Sequence, residues 1–379
     1  MEGKTKIVAT LGPSCRDEDL IQSMIRAGMS VARINASHAD SNVIREEMAS
    51  LREASRKAGR EVGAILDLMG PKLRVGEIAN NGAVLAEGQD FILTSRQIIG
   101  DSRSVSVSNP EIISALKRGN TVLLDDGSLR LEVEEISGSD VLCKVRNGGI
   151  LRSRKGINLP GVELDLEPLT EKDRRDLGLG LEIGVDCVAL SFVRSSRDIA
   201  ELRRYLRAMG SDMPIMAKIE KREAVADIEA VVREADAVMV ARGDLGVEMD
   251  LEDIPLLQKR IIAVAARQGK PVITATQMLQ SMISSPTPTR AEVTDVANAI
   301  FDGSDGVMLS GETAVGRHPV EPANNMQRII AHTETALPYE AWLEERRRWI
   351  SDGVVEAVCF AACELARQTF FFNVTATTE

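Results

Sequence analysis

Short apolar runs rich in Val and Ile alternate with amphipathic, helix-like stretches along most of the chain. The runs are KIVATLGP (6–13), VARINA (31–36), VGAILDL (62–68), CVALSFV (187–193), PIMAKIE (214–220), AVMVAR (237–242), PVITAT (271–276) and GVMLSGE (306–312). Continuous apolar strands of this length, each followed by a helical stretch, are what a parallel sheet buried on both faces requires. Eight of them predict an α/β fold of the TIM (β/α)8 barrel type. Local signals agree. Thr289-x-x-Glu292 reads as a capping box opening the helix TRAEVTDVANAI, and Asp17 reads as the start of a helix that ends near Gly28.

One interval breaks the alternation. More than a hundred residues separate Leu68 from Cys187, too many for one strand-to-helix connection. Within it, short alternating segments such as TVLLDD (121–126) and RLEVEEI (130–136) are punctuated by turn signals at Asn80-Asn81-Gly82, Asp126-Gly127 and Asn147-Gly148-Gly149. This predicts a small all-β domain inserted into the barrel. The expected divisions are residues 1–70 (first part of the barrel), 71–167 (inserted lid), 168–336 (second part of the barrel) and 337–379. The last segment holds one apolar helix, VVEAVCFAACELARQ, and one strand-like run, TFFFNVTAT. A helix and a strand do not make a domain, so this segment reads as the truncated start of a further α/β domain.

Composition narrows the functional classes. A net charge of −11 makes the chain a poor general binder of nucleic acid or anionic membranes, while leaving room for local basic pockets. No apolar run of about 18 residues and no signal-peptide pattern occurs. The five cysteines, Cys15, Cys143, Cys187, Cys359 and Cys363, form no CxxC pair, so neither a disulfide framework nor a zinc site is expected and a cytoplasmic setting fits best. Cys359 and Cys363, one helical turn apart, are expected on a packed helix face.

In (β/α) barrels the chemistry sits at the C-terminal ends of the strands. Arg33, Asn35 and Ser37 are two apart at the end of the second strand, and Arg suits a phosphate. Lys218 and Glu220 share a face at the end of the fifth strand, and Ala241-Arg242-Gly243-Asp244 follows the sixth. Glu220 and Asp244 could grip one hard divalent cation, with substrate oxygens and water completing its shell, or Lys218 and Glu220 could be a structural ion pair. Lys218 would meet charge building on a transferred phosphoryl group. The Gly243–Asp244 step reads either as an anion-binding helix start or as a capped turn. Thr274 and Thr276 are expected on one face of the seventh strand, and Ser310 and Glu312 on one face of the eighth, as a proton relay or as structural hydrogen-bonding groups. His38, His318 and His332 are scattered without metal-ligand spacing, and Met278 and Met282 read as packing.

Seven segments resemble the pyruvate kinase family in order. They are TKIVATLGPS (5–14), GMSVARINASHAD (28–40), LDLMGPKLRVGE (66–77), RKGINLPGVELDLEPLTEKD (154–173), MAKIEKREAV (216–225), ARGDLGVE (241–248) and the long run ATQMLQSMISSPTPTRAEVTDVANAIFDGSDGVMLSGETAVG (275–316). The resemblance implies phosphoryl transfer from phosphoenolpyruvate to ADP, giving pyruvate and ATP. It implies Lys218 as the residue stabilising the phosphoryl transition state, Glu220 and Asp244 as ligands of Mg²⁺ or Mn²⁺, and Arg33 on the substrate phosphate. Gly243, Asp244 and Thr276 would hold the substrate carboxylate. Asn35, His38, Arg74 and Lys155 fall at nucleotide-side positions, and Ser310 and Glu312 in the segment linked to protonating the enolate. A homo-oligomer, dimer or tetramer, is implied as well.

Two departures stand out. K⁺-dependent members typically read DTKGPEIR after the third strand, whereas this chain reads Asp67-Leu68-Met69-Gly70-Pro71-Lys72-Leu73-Arg74. Lys72 stands where those enzymes carry a glutamate and Leu68 replaces a threonine, although Asn35, Ser37 and Asp67 of the K⁺ pocket remain. The expectation is that K⁺ is not required, the ammonium of Lys72 supplying the fixed charge. The second departure is the short 337–379 segment, from which weak or absent effector control is expected. Two other readings remain: a metal-dependent, aldolase-like barrel acting on pyruvate enolate, and a catalytically impaired scaffold.

Overall fold

The computed structural model describes residues 3–37, 39–164, 166–347 and 353–369. Eight parallel strands close a barrel: β1 (Lys6–Thr10), β2 (Met29–Asn35), β3 (Gly63–Asp67), β4 (Cys187–Leu190), β5 (Ile215–Ile219), β6 (Ala237–Ala241), β7 (Val272–Ala275) and β8 (Gly306–Leu309). Each pairs with its sequence neighbours and β8 returns to β1. The expected helix starts are present. Asp17 caps Glu18–Arg26, and Thr289 and Glu292 form the reciprocal capping box of Arg290–Phe301.

The period of two along each strand sorts the side chains. Ile7, Ala9, Ile34, Leu66, Val188, Leu190, Ala217, Ile219, Val238 and Val240 belong to the cores between strands and helices. Val8, Ile65, Ala189, Met216, Met239, Ile273 and Met308 form a separate apolar layer inside the barrel. Two residues further along several of these strands the inward position turns polar: Thr10, Asp67, Ser191, Lys218 and Ser310, with Arg33 beside them. This polar layer, seated on an apolar plug, is the floor of the site.

After β3 the chain leaves the barrel at Gly70. Its φ of +64° is in the left-handed region, and a Cβ there would stand 3.0 Å from the carbonyl oxygen of Ser191, so glycine suits the turn on both counts. The insert is the expected all-β lid. A six-stranded sheet runs in the order Ile157–Asn158, Thr121–Leu124, Leu129–Ser137, Asp140–Asn147, Asp90–Thr94, Ser104–Ser106, with a two-stranded piece formed by Ala83–Leu85 and Gly149–Leu151. It has its own core, centred on the fully buried Phe91. Asn158 Nδ2 donates to Glu248 Oε1 at 3.0 Å, and Lys221 Nζ meets the same oxygen at 2.6 Å, fastening the lid's last strand to the barrel. Arg194 adds a second tie by donating to the carbonyls of Leu164 and Leu166.

Helices Tyr339–Arg347 and Val354–Thr369 follow the barrel. Cys359 and Cys363 are exposed, not packed as the sequence suggested, and Val354, Val355, Val358 and Leu365 on the same helix are exposed with them. The strand-like run at 370–376 lies outside the described residues. As expected, Met278 and Met282 are fully buried and His332 is exposed. No helix among the described residues is long and apolar enough to cross a membrane.

Candidate active site

At the C-terminal ends of the strands a cavity of about 570 Å³ opens beneath the lid. It is lined by Thr10, Arg33, Asn35, Lys72, Lys218, Glu220, Gly243, Asp244, Thr276 and Ser310, with Asp126 reaching in from the lid. Its floor is a charged network. Arg33 Nε donates to Asp67 Oδ2 at 2.6 Å and a terminal nitrogen of Arg33 donates to Thr10 Oγ1 at 3.1 Å. Lys218 Nζ faces three oxygens: Ser191 Oγ at 2.8 Å, Glu220 Oε1 at 2.8 Å and Asp67 Oδ1 at 3.2 Å. Burial alone pushes the Lys218 pKa down, but the Asp67 and Glu220 carboxylates outweigh it and hold it above the ordinary range, so the ammonium stays charged. Burial likewise pushes Asp67 up, and the Lys218 and Arg33 cations overcome that and hold it below the usual carboxylate range.

The two candidate metal ligands differ from the other buried acids in what they lack. Glu220 Oε2 accepts from the Phe192 N–H at 2.8 Å, while the buried Oε1 faces the Lys218 ammonium at 2.8 Å and no other donor among the described residues. Asp244, in the first turn of the short helix Arg242–Glu248, lines the cavity without a hydrogen bond to its carboxylate among the described residues. Two carboxylates at adjacent strand ends, one with an oxygen that meets only an ammonium and one with no hydrogen bond among the described residues, fit a hard divalent cation. Among the described residues no three His, Cys, Asp or Glu side chains cluster as a ready metal site, so substrate and water oxygens would have to complete the shell.

Burial, followed by repulsion from Glu220, pushes the Asp244 pKa up to about 6, with Lys218 and Lys72 opposing. A proton and a cation would then compete for this carboxylate. Mn²⁺ affinity, followed by electron paramagnetic resonance, should fall about tenfold per pH unit below 6, because the ligand must be deprotonated to bind. Affinity that stays flat between pH 7 and 5 would remove Asp244 from the ligand set.

Backbone strain gathers here. Phe192, Thr276 and Gln277 have φ of 56°, 71° and 55°, a conformation that costs side-chain-bearing residues on the order of 1–3 kcal/mol each and persists only where surroundings enforce it. For Thr276 the enforcing group is Arg242, which donates to the Thr276 carbonyl at 2.9 Å while held on both oxygens of Asp295 at 2.7 Å. Thr276 Oγ1 in turn accepts from the Gly243 N–H at 2.7 Å. Thr276 therefore does not share a face with Thr274. Strand β7 ends at Ala275, Thr276 has turned into the cavity, and Thr274 is buried against Ser304.

Ser310 and Glu312 are separated in the same way, because β8 ends at Leu309 and Gly311–Ala314 is helical. Ser310 Oγ is buried, lines the cavity and has no hydrogen-bond partner among the described residues. Glu312 is fully buried, with its two oxygens on the N–H groups of Leu279 and Ser310, so it orders that corner without reaching the cavity.

The remaining candidates divide as follows. Asn35 lines the cavity, with its Oδ1 taken by the Ser37 N–H at 3.1 Å. Leu68 is fully buried and its carbonyl accepts from Ser191 at 2.7 Å. Lys72 lines the cavity with no ion pair among the described residues. Arg74 and Lys155 are not brought to the cavity. They sit on adjacent lid segments, Arg74 donating to the Arg154 carbonyl and Lys155 paired with Asp125 at 2.8 Å. His38 lies outside the described residues. Sequence reasoning missed Thr10, Ser191 and Asp126. The first two were accessible by counting two residues on from Val8 and Ala189, but Asp126 depends on how the lid folds back.

Known proteins resemble this chain over most of its length. Residues 2–323 match the family described as "Pyruvate kinase, barrel domain". The chain is 44% identical over 372 residues to a pyruvate kinase of Geobacillus stearothermophilus, covering 96% of this chain and 63% of that one. It is 46% identical over 359 residues to "Pyruvate kinase 2" of a Synechocystis strain, covering 94% and 61%. The crystal structure of a pyruvate kinase from Cryptosporidium parvum superposes with a TM-score of 0.93 at 39% identity, over 97% of this chain and 77% of that one. The chain thus spans less than two thirds of the length of the first two of these relatives.

Proposed function

The chain belongs to the pyruvate kinase family, and from that premise we propose that it transfers a phosphoryl group from phosphoenolpyruvate to ADP, forming pyruvate and ATP. The observation that carries the proposal is one cavity holding a lysine, an arginine and the two carboxylates Glu220 and Asp244, under a lid. Glu220 and Asp244 would hold Mg²⁺ or Mn²⁺, which when bound supplies positive charge to phosphoryl and enolate oxygens.

The chain's own groups would divide the remaining work. Arg33, fixed by Asp67 and Thr10, presents a guanidinium to the phosphate. Lys218 faces the charge that builds on the transferring group, and because its position is set in advance little reorganisation is needed at that moment. Gly243, Asp244 and Thr276 would hold the substrate carboxylate, the Gly243 N–H exchanging its present acceptor, Thr276 Oγ1, for a carboxylate oxygen. Ser310 Oγ, buried and without a hydrogen-bond partner among the described residues, is placed to hand a proton to the enolate face, directly or through water, while Glu312 keeps it in position. Arg74 and Lys155 would serve the nucleotide from the lid, whose closure excludes water that would otherwise take the phosphoryl group.

The proposal includes catalysis without K⁺. Three of the four residues of the expected monovalent-cation pocket already have partners: Asp67 is held by Arg33 and Lys218, Asn35 by the Ser37 N–H, and the Leu68 carbonyl by Ser191. Lys72 adds an ammonium to the same cavity. With Na⁺ or tetramethylammonium as the sole monovalent cation, pyruvate formation coupled to NADH oxidation should proceed at close to the rate seen with K⁺. A large activation by K⁺ would refute this part. Absence of pyruvate formation under any monovalent salt, with Mg²⁺, phosphoenolpyruvate and ADP present, would refute the function itself.

A further inference from the structure

Ser191 lies at the inward position just past β4 and is 4% exposed. Its hydroxyl is close to three groups: the Leu68 carbonyl oxygen at 2.7 Å, the Lys218 ammonium at 2.8 Å and Asp67 Oδ1 at 3.2 Å. A hydroxyl has one proton and two lone pairs. The ammonium can only donate, so Ser191 must accept from it, and its own proton goes to the Leu68 carbonyl, the nearer of the two acceptors. That carbonyl is a backbone atom just after β3, on the strand adjacent to β4. The orientation of the Ser191 lone pair toward Lys218 is therefore set by the barrel itself.

The other two acceptors around Lys218 are already shared. Asp67 is divided with Arg33, and Glu220 is divided with the Phe192 N–H. Ser191 is the neutral partner. It holds the ammonium by a hydrogen bond without cancelling any of its charge, and it has no competing cation. We propose that Ser191 is a positioning residue for phosphoryl transfer, keeping the Lys218 ammonium aimed into the cavity while its carboxylate partners engage other groups. The inference rests on the phosphoryl-transfer reading above.

The test compares two reactions of one active site. Phosphoryl transfer is measured as kcat and KM for phosphoenolpyruvate. Exchange of pyruvate methyl protons with D₂O, followed by proton NMR, reports enolate formation without phosphoryl transfer. For Ser191→Ala, kcat should fall about 10- to 100-fold, the range for losing a hydrogen bond to a charged group, with KM changed less than about twofold. Methyl exchange should change less than about threefold. Ser191→Cys keeps the side-chain volume with a much weaker acceptor and should behave like Ser191→Ala.

A kcat within about twofold of the parent enzyme in either variant would overturn the proposal. So would a parallel loss of both reactions, a loss confined to KM, or unfolding of both variants in near-UV circular dichroism, since each makes the residue structural or a substrate contact. Should the unsubstituted enzyme itself make no pyruvate, the phosphoryl-transfer reading fails, and the role assigned to Ser191 goes with it.

Discussion

Lys218→Met should lower phosphoryl transfer by about 10³-fold or more, the scale on which removing a preorganised positive charge from a transferring phosphoryl group is felt. The reason is positional. The ammonium is held at 2.8–3.2 Å by Ser191, Glu220 and Asp67 at the top of an apolar layer, so no other group occupies that point. The methionine keeps the length and apolar stem of lysine but brings no charge. Phosphoenolpyruvate binding should change far less, because Arg33 and the Gly243–Thr276 seat remain. Mn²⁺ binding should be retained or strengthened, since the substitution frees Glu220 Oε1 from its ion pair. Retention of more than about a tenth of kcat would remove Lys218 from the role of charge stabiliser.

The second large effect is at Asp67, which reaches no substrate in this account. Its side chain is 1% exposed and carries two cations of the cavity floor, Arg33 at 2.6 Å and Lys218 at 3.2 Å. Asp67→Asn leaves two buried cations with one neutral amide between them. Removing one member of a buried ionic cluster costs about 3–5 kcal/mol, so the urea midpoint at pH 7 should drop accordingly. The pH dependence has a definite sign. The folded-state pKa is depressed, so the stabilising contribution is present above the unfolded value of about 3.9 and is lost as pH falls through the folded value. The gap between parent and variant should therefore be full at pH 7 and close only below about pH 4. Activity should fall by about 10²-fold from displaced Arg33 and Lys218 alone. A variant as stable as the parent at pH 7 would mean that the cluster contributes nothing net.

Most of the barrel was readable because each strand carries two signals at once. An apolar run marks a strand buried on both faces, and a polar residue at its end marks the mouth, as in VARINA leading to Arg33 and Asn35. The inserted lid was readable from the change in period and from its turn dipeptides, and the structure adds the tie from Asn158 to Glu248. The misjudged details of the site lie where the chain leaves a strand. Extrapolating alternation to Thr276 and Glu312 assumed extended backbone, but β7 ends one residue and β8 three residues earlier than the sequence suggested, at Ala275 and Leu309. Past those ends, Thr276 adopts a left-handed conformation enforced by Arg242 from the neighbouring loop, a tertiary effect that has no local sequence signal. Cys359 and Cys363 were misplaced for the opposite reason. Their helix has an apolar pattern, but a pattern predicts a face to be covered, not what covers it.

The most direct test of the central claim is to follow the phosphorus atom itself. Phosphoenolpyruvate and ADP are incubated with the protein and Mg²⁺ while ³¹P resonances are recorded. The account predicts that the phosphoenolpyruvate signal is replaced one for one by the γ-phosphate of ATP, without inorganic phosphate. Appearance of inorganic phosphate in place of ATP, or a phosphoenolpyruvate signal that persists alongside ADP, would contradict it.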